Sequence, residues 1–245
     1  MILIYFFEKF LPFKREWGGF DSHVKLDAHY YFFIHIVFGN LLVFLTKNSF
    51  TDMVTILKFN GHPEYFLQNF SEFNKLLIVI LISDLGRYWL HRLSHEWKPF
   101  WKVHAIHHSV ERLYFWNTGR FHLIDKMVVL IFESFLFLYL GATPVTIALY
   151  YIFYSANGFL QHANIDIRLG IFNKIISGPE QHRFHHSILP LEANNNYGNK
   201  VSIYDQLFGT YYLPNLDGPQ RMGLQNKKFP MSFFGQMKAP FYKGD

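Results

Sequence analysis

Histidine is the residue type whose spacing in this sequence most directly indicates chemistry. Ten of the 14 histidines lie between His91 and His186. Eight of these form an HxxxH and two HxxHH clusters, namely His91 and His95; His104, His107 and His108; and His182, His185 and His186. Residues three and four apart share one helix face, so each cluster can direct several imidazoles to one point. Because imidazole is the commonest side-chain metal ligand, the clusters predict a metal centre.

Two further histidines, His122 and His162, lie between the clusters. An isolated histidine is more often a structural residue, but both stand at ends of predicted helices on the side of the clusters. We therefore expect them to be ligands as well. Tetrahedral zinc uses only four ligands, so this number of imidazoles predicts more than one metal ion. The remaining histidines are interpreted as structural: His23, His29, His35 and His62.

The metal itself is indicated by the ligand type. Imidazole suits zinc, copper, iron and nickel, and a hydrolytic zinc site would carry the glutamate of an HExxH motif. The segment from His91 to His95 reads HRLSH and lacks that glutamate. Ten ligands on two ions would give about five each and leave one octahedral position open, as in redox-active di-iron sites. We expect two irons, with zinc as a substitute in purified protein.

A carboxylate lies two helical turns before the first cluster. Asp84 is seven residues before His91 and would share its face. It could accept the free ring N–H of a ligand histidine, or it could pair with Arg87 or Arg92. The sequence leaves both alternatives open.

Composition predicts membrane association. Half of the 245 residues are hydrophobic, a fifth are aromatic, and only 17% are charged, against about 25% in typical soluble proteins. The net charge of +5 suits anionic lipid headgroups. The absence of a Lys/Arg run argues against nucleic acid as a partner. The lack of cysteine excludes disulfides, iron–sulfur clusters and thioether-linked haem.

Four apolar stretches approach the roughly 17–25 residues that span a bilayer: 29–46, 76–91, 124–141 and 145–159. The alternative is the buried helical core of a soluble enzyme. We predict an all-α, single-domain protein (1–245), an integral membrane bundle of about four transmembrane helices with a histidine-rich cap. Lys and Arg concentrate in the second loop and the tail, which places the active site in the cytoplasm. The membrane is either the bacterial inner membrane or the endoplasmic reticulum.

Proline and glycine indicate where the elements end. Pro99 is expected to stop the helix of the first cluster, so the second cluster lies on a new helix. A tight turn is predicted at 141–144, and 178–180 is expected to begin the helix of the third cluster. An interfacial helix is expected over 1–13. Residues 217–245 show no periodicity and are expected to be a surface tail.

Taken together, the motifs resemble the fatty acid hydroxylase/sterol desaturase family of integral membrane di-iron enzymes, over about residues 76–214. The matching segments are HRLSH (91–95), HAIHHS (104–109), RFH (120–122), QHANI (161–165), HRFHHS (182–187), NYG (196–198) and DQLFGT (205–210). The resemblance implies that the eight clustered histidines hold two irons. By their positions, it implies the same role for His162 and His122. It also suggests that Asn196 and Asp205 support the ligands or fix loops.

Two positions depart from the family pattern. Leu123 stands where the family often has proline. Gly158 stands where some members carry a further histidine, which leaves His122 as the candidate for the tenth ligand.

The resemblance implies O₂-dependent hydroxylation of a lipid C–H bond, with desaturation as a variant and two electrons from outside. Without cysteine or a GxGxxG fingerprint, the donor must be separate, such as a ferredoxin or a cytochrome b5-like carrier with its reductase. Lys98, Lys102, Arg112 and Lys174 could attract an acidic donor or bind only lipid headgroups. The rival hypotheses are a bis-histidine haem carrier, a non-catalytic metal-binding or transport protein, and a zinc hydrolase.

Overall fold

The computed structural model describes residues 2–19, 21–41, 66–214 and 217–242. Within these ranges the protein is helical, and β structure is limited to two isolated bridges, Ile176 with Val201 and Ser187 with Met222. The all-α prediction is therefore confirmed. His62 and the end of the first predicted span lie outside the described residues.

The α-helices differ widely in length. They are α1 (Ile2–Phe10), α2 (Ser22–Tyr30), α3 (Glu72–Glu96), α4 (Lys98–His108), α5 (Leu123–Leu140), α6 (Pro144–His162), α7 (Pro179–His185), α8 (Pro190–Ala193), α9 (Ile203–Leu207) and α10 (Phe233–Lys238). α2 continues as a π-helix over Tyr31–Phe38. Short 3-10 helices lie at Arg15–Trp17, Phe115–Gly119, Gly170–Lys174 and Ala239–Phe241.

The ends of the long helices follow local chemistry. α3 ends at Glu96, and Pro99 occupies the first turn of α4, where its missing N–H costs nothing. α5 ends at Leu140 and is followed by Gly141, whose φ of 69° is the left-handed conformation that glycine adopts freely. Thr143 then caps α6 by accepting the N–H of Thr146.

The principal core lies between α3, α5 and α6. Val79 and Ile80 of α3 pack with Phe137 of α5 and Tyr150 of α6. At the same interface, Arg87 Nε donates to Glu133 Oε1 at 2.5 Å, so a buried ion pair joins α3 to α5. These contacts fix the helix that carries the first histidine cluster.

The C-terminal segment was expected to be a surface tail, and the structure contradicts this expectation. α10 packs against α2, and Tyr30 Oη donates to Gln236 Oε1 at 2.6 Å, with both residues at 0% exposure. The contact joins residues 206 positions apart. Such a distant pairing leaves no periodic signal in a helix of six residues.

The second, third and fourth predicted spans correspond to α3, α5 and α6. No helix within the described ranges combines the length and apolarity needed to cross a bilayer. A helix was expected over 1–13, and α1 covers Ile2–Phe10 of this range, with no residue buried.

Candidate metal centre

Nine histidines meet in two groups, and within each group the potential ligand nitrogens lie within 4.8 Å of one another. The five-histidine group consists of His91, His95, His104, His108 and His185. The four-histidine group consists of His107, His162, His182 and His186. Each group has the residue types and the spacing that could hold a metal ion.

The helices divide each HxxHH cluster between the two groups. In α4, His104 and His108 are one turn apart and enter the five-histidine group, whereas His107 enters the other. At α7 the division is reversed, because His182 and His186 enter the four-histidine group and His185 enters the other. α3 completes the first group and the end of α6 completes the second.

The two groups are in direct contact. The rings of His108 and His186, one from each group, stack with centroids 4.5 Å apart. The rings of His107 and His108 lie 5.6 Å apart. Two metal ions held here would therefore be neighbours within one centre.

Hydrogen bonds at the outer ring nitrogen orient most of these imidazoles. Six of the nine histidines direct Nδ1 at an oxygen acceptor: His91 at Tyr197 O (2.9 Å), His95 at Asn194 Oδ1 (3.2 Å), His104 at Asp125 Oδ2 (3.0 Å), His107 at Arg120 O (3.3 Å), His162 at Asn117 Oδ1 (2.8 Å) and His185 at Asn195 O (2.8 Å). A proton on Nδ1 satisfies these acceptors. The lone pair of Nε2 is then left for a metal.

The inner nitrogens are correspondingly short of partners. Nε2 of His91, His104 and His185 and Nδ1 of His186 are buried without a hydrogen-bond partner in the described part of the chain. His182 Nε2 faces Nε2 of both His162 (2.9 Å) and His186 (3.0 Å), although a single N–H can serve only one. Buried polar atoms without partners are costly, and a metal ion would satisfy them. The residues therefore fit a metal.

The electrostatic environment favours neutral imidazole. Burial, together with the neighbouring imidazoles, holds the pKa of His107, His108, His182, His185 and His186 well below the usual 6.5. Neutral imidazole is the form that binds metals. Protons consequently compete weakly for these sites at pH 7.

His122 lies outside both groups, contrary to its expected role as a ligand. Its Nδ1 accepts the N–H of Ile124 at 3.0 Å, and its Nε2 contacts Met237 O at 3.0 Å. It therefore caps the N-terminus of α5 and fastens α10, with both ring nitrogens engaged. The geometry therefore brings nine of the ten expected histidines into the two groups.

Asp84 satisfies neither alternative that the sequence left open. Its carboxylate accepts the backbone N–H groups of Lys200 and Val201, each at 2.9 Å. It therefore fastens the loop after α8 to α3. A buried carboxylate can be satisfied by backbone donors as fully as by an ion pair, which the sequence could not reveal.

Asp205 supports the centre through one intermediate residue. It accepts the N–H of Tyr197 at 2.7 Å and of Gly198 at 2.8 Å, and the Tyr197 carbonyl faces His91. Asn196 has a φ of 55°, and its side chain bonds to both backbone groups of Tyr212. Both residues fix the loop that orients His91 and His185.

Asp125, which no sequence motif singled out, is bonded directly to one of the grouped histidines. Its carboxylate contacts His104 Nδ1 at 3.0 Å, the arrangement that orients metal-bound imidazoles and raises their basicity. The available signal was an acidic residue in the first turn of an apolar helix. That signal usually indicates only a favourable interaction with the helix dipole.

Cavities reach both groups. One of about 800 Å³, lined by the π-helical part of α2 and by α5 and α6, reaches His107, His162 and His182. A smaller one of about 80 Å³ reaches His91 and His104. A third of about 560 Å³ approaches His95 and His108 from the side of the C-terminal segment, which contributes Phe229, Pro230 and Ala239.

Fold and site together define an all-helical protein with a paired histidine centre suited to metal ions. The family model for fatty acid hydroxylase matches residues 76–210, and the chain belongs to that family. Ornithine lipid hydroxylase OlsE of Rhizobium tropici is 31% identical, over 98% of this chain and 72% of its own length. Membership confirms the resemblance stated above and the prediction of an oxidoreductase.

Other relatives are similar over less of their length. Alkylglycerol monooxygenase of Danio rerio is 32% identical over 55% of this chain, which is 30% of the relative. Probable Delta(7)-sterol 5(6)-desaturase of Neurospora crassa is 27% identical over 60% of this chain and 40% of the relative. No solved structure matches the chain.

Proposed function

We propose that this protein hydroxylates a C–H bond of a lipid, with desaturation as a variant, and that its two histidine groups hold two irons. The observation that carries the proposal is the convergence of buried, partnerless imidazole nitrogens beside a large cavity. The hydroxylase and desaturase relatives support the same chemistry. The balanced reaction is R–H + O₂ + 2 e⁻ + 2 H⁺ → R–OH + H₂O.

The protein's own residues have separable tasks in this reaction. The five-histidine and four-histidine groups would each hold one iron, and the irons would supply the redox chemistry with O₂. Asp125 and the carbonyl groups of Arg120, Asn195 and Tyr197 hold the imidazoles in position. The cavity walls would bind the lipid and exclude bulk water from the centre.

We propose that the protein is integral to the membrane, with the centre facing the cytoplasm. Large apolar side chains are exposed along the helices, including Phe73 (67%) on α3, Phe135 (54%) on α5 and Ile152 (66%) on α6. Exposed apolar patches of this kind suit contact with lipid. α1 adds Ile2 (77%) and Phe10 (72%), as expected of a helix lying in the interface.

We propose that a separate electron donor docks beside the five-histidine group. Trp101 lines the third cavity, and its ring lies 5.3 Å from His95 and 5.6 Å from His108. Lys98 and Lys102 lie on the same helix and could attract an acidic carrier. Arg112, also considered from the sequence, is paired with Asp21 at 2.8 Å. Lys174 would then contact lipid headgroups.

The decisive experiment compares lipids and metal content. Lipids from cells expressing the protein should contain a species that has gained one oxygen, or lost two hydrogens, relative to cells expressing His185→Ala. Purified protein should contain iron and should turn over with O₂, reductase and carrier, but not with NAD(P)H alone. Product formation without O₂ or reductant would favour a zinc hydrolase and contradict the proposal.

A further inference from the structure

The cavity of about 800 Å³ carries an excess of positive charge. Arg87, Lys126 and Lys200 line it, against the single carboxylate of Glu133 among its described lining residues. Arg87 and Glu133 neutralise one another at 2.5 Å. The two lysines are therefore the unbalanced charges of the cavity.

The side chain of Lys200 ends in a buried ammonium group that can donate further hydrogen bonds. It is 2% exposed, its Nζ donates to Asn199 O at 3.1 Å, and the Nζ lies 4.0 Å from the centroid of the Tyr154 ring. In the described part of the chain no carboxylate forms an ion pair with its Nζ, and Asp84 accepts the backbone N–H of Lys200. Burial lowers the pKa of Lys200 to about 8, so the charged form still predominates at pH 7. Burial of an unpaired charge is costly, which suggests an anionic ligand.

Lys126 provides a second cation near the four-histidine group. Its Nζ lies 4.1 Å from the centroid of the Phe121 ring, and it forms no ion pair with the described carboxylates. Phe121 in turn stacks on His107, with centroids 4.2 Å apart. Lys126 is thus separated from a ligand histidine by one aromatic ring.

Lys200, in the loop between α8 and α9, lies close to α6 beside the same group. A Cβ at Gly158 would lie 3.9 Å from Lys200 Nζ, and Gly158 is one helical turn before His162. The two lysines therefore flank the end of the cavity where the four-histidine group lies. The rest of the lining is largely apolar and comes from α2, α5 and α6, including Ile34, Phe38, Leu130, Phe137, Ile147 and Phe159.

We propose that the substrate is an anionic amphiphile, whose phosphate or carboxylate binds Lys126 and Lys200 while its apolar part lies between α2, α5 and α6. This inference rests on the proposed function and assigns a substrate class to its site. The anionic end, and not the far end of the hydrocarbon chain, then faces the histidine groups. Oxidation is accordingly expected at a carbon near the polar end.

The test measures binding without turnover. Zinc-loaded protein in nanodiscs of zwitterionic lipid is titrated calorimetrically with octyl phosphate, octanoate, octanol and inorganic phosphate. At least one of the two anionic amphiphiles should bind about tenfold or more tightly than octanol, because charge-assisted hydrogen bonds are lost with the neutral probe. The comparison of octyl phosphate with octanoate identifies which anion is preferred, and either preference supports the proposal.

Variants test whether the preference for anionic amphiphiles depends on Lys126 and Lys200. Lys126→Met and Lys200→Met should each weaken binding of the preferred anion about tenfold and leave octanol binding unchanged, whereas Lys126→Arg should retain the affinity. Lys174→Met, an exposed lysine outside the cavity, is the matched control. If Lys200→Met does not fold, Lys126→Met with its arginine counterpart decides the question.

Two results would overturn the proposal: octanol binding as tightly as both anionic amphiphiles, or anion affinity that is unchanged by loss of Lys126. Inorganic phosphate binding as tightly as octyl phosphate would also contradict it, because the apolar walls would then contribute nothing. None of these results bears on iron content or on the gain of oxygen in cellular lipids, so the proposed function is tested separately.

Discussion

At the scale of single residues, six of the nine imidazoles have two nitrogens with different tasks. In these six an oxygen acceptor fixes Nδ1, and Nε2 is left for a metal. Among the acceptors that bond directly to the ligand histidines, Asp125 is the carboxylate, and it contacts His104 at 3.0 Å. A carboxylate makes the imidazole a stronger donor to a metal than a neutral carbonyl would.

Asp125→Asn should therefore weaken metal binding without removing a ligand. We expect about a 10- to 100-fold loss of metal affinity, measured by competition with a chelator. Asp217→Asn is the matched control, because Asp217 has an 84% exposed side chain far from the ligands in sequence. Equal affinity in the two variants would show that Asp125 does not tune the centre.

His122 provides a test of the nine-ligand assignment. His122→Ala should retain full metal content, because both of its ring nitrogens are bonded elsewhere. It should also lower stability by about 0.5–2 kcal/mol, as loss of a helix cap does. His185→Ala should lose metal instead. A metal deficit in His122→Ala equal to that in His185→Ala would restore His122 as a ligand.

At the scale of elements, the loop between α8 and α9 is as important as the helices. It supplies the Asn195 and Tyr197 carbonyl groups that face two ligand histidines. Gly198 permits its path, since a Cβ there would lie 2.3 Å from the Val201 carbonyl oxygen. The loop cannot accommodate that methyl group without moving its backbone.

Gly198→Ala should therefore disturb the metal centre, although Gly198 is not one of its histidines. We expect a lower melting temperature and reduced metal content, because displacement of Tyr197 releases His91. Gly39→Ala is the matched control. A Cβ at Gly39 would have its nearest neighbour at 3.7 Å, which is an ordinary contact, so this variant should retain its metal content. Normal metal content in both variants would contradict the argument.

The elements that the sequence predicted correctly are those with local signals. The HxxHH spacing, Pro99 and the Gly178-Pro179 pair are local signals, and they correctly indicated α4 and the start of α7. The acceptors for the histidines are not local, because Tyr197 lies 106 positions from His91. A contact between residues so far apart leaves no periodic pattern in the sequence. The division of each cluster between two groups likewise depends on how α3, α4, α6 and α7 pack.

At the scale of the whole molecule, the centre couples metal binding to stability. Nine imidazoles are assembled in one place, and several have a pKa well below 6.5 because burial disfavours the charged form. In the unfolded chain the same histidines would titrate near 6.5. As the pH falls below that value, the unfolded state takes up protons that the folded state does not.

Metal-free protein should consequently lose stability as the pH falls from about 6.5. Each histidine held neutral should contribute about 1.4 kcal/mol per pH unit to the slope in this window. The check is the free energy of unfolding of chelator-treated protein, measured in detergent between pH 7.5 and 5. His185→Gln should show a shallower dependence than the parent, whereas His29→Gln, at an exposed position, should not. A stability that is flat across this range would mean that the imidazoles are not held neutral by the fold.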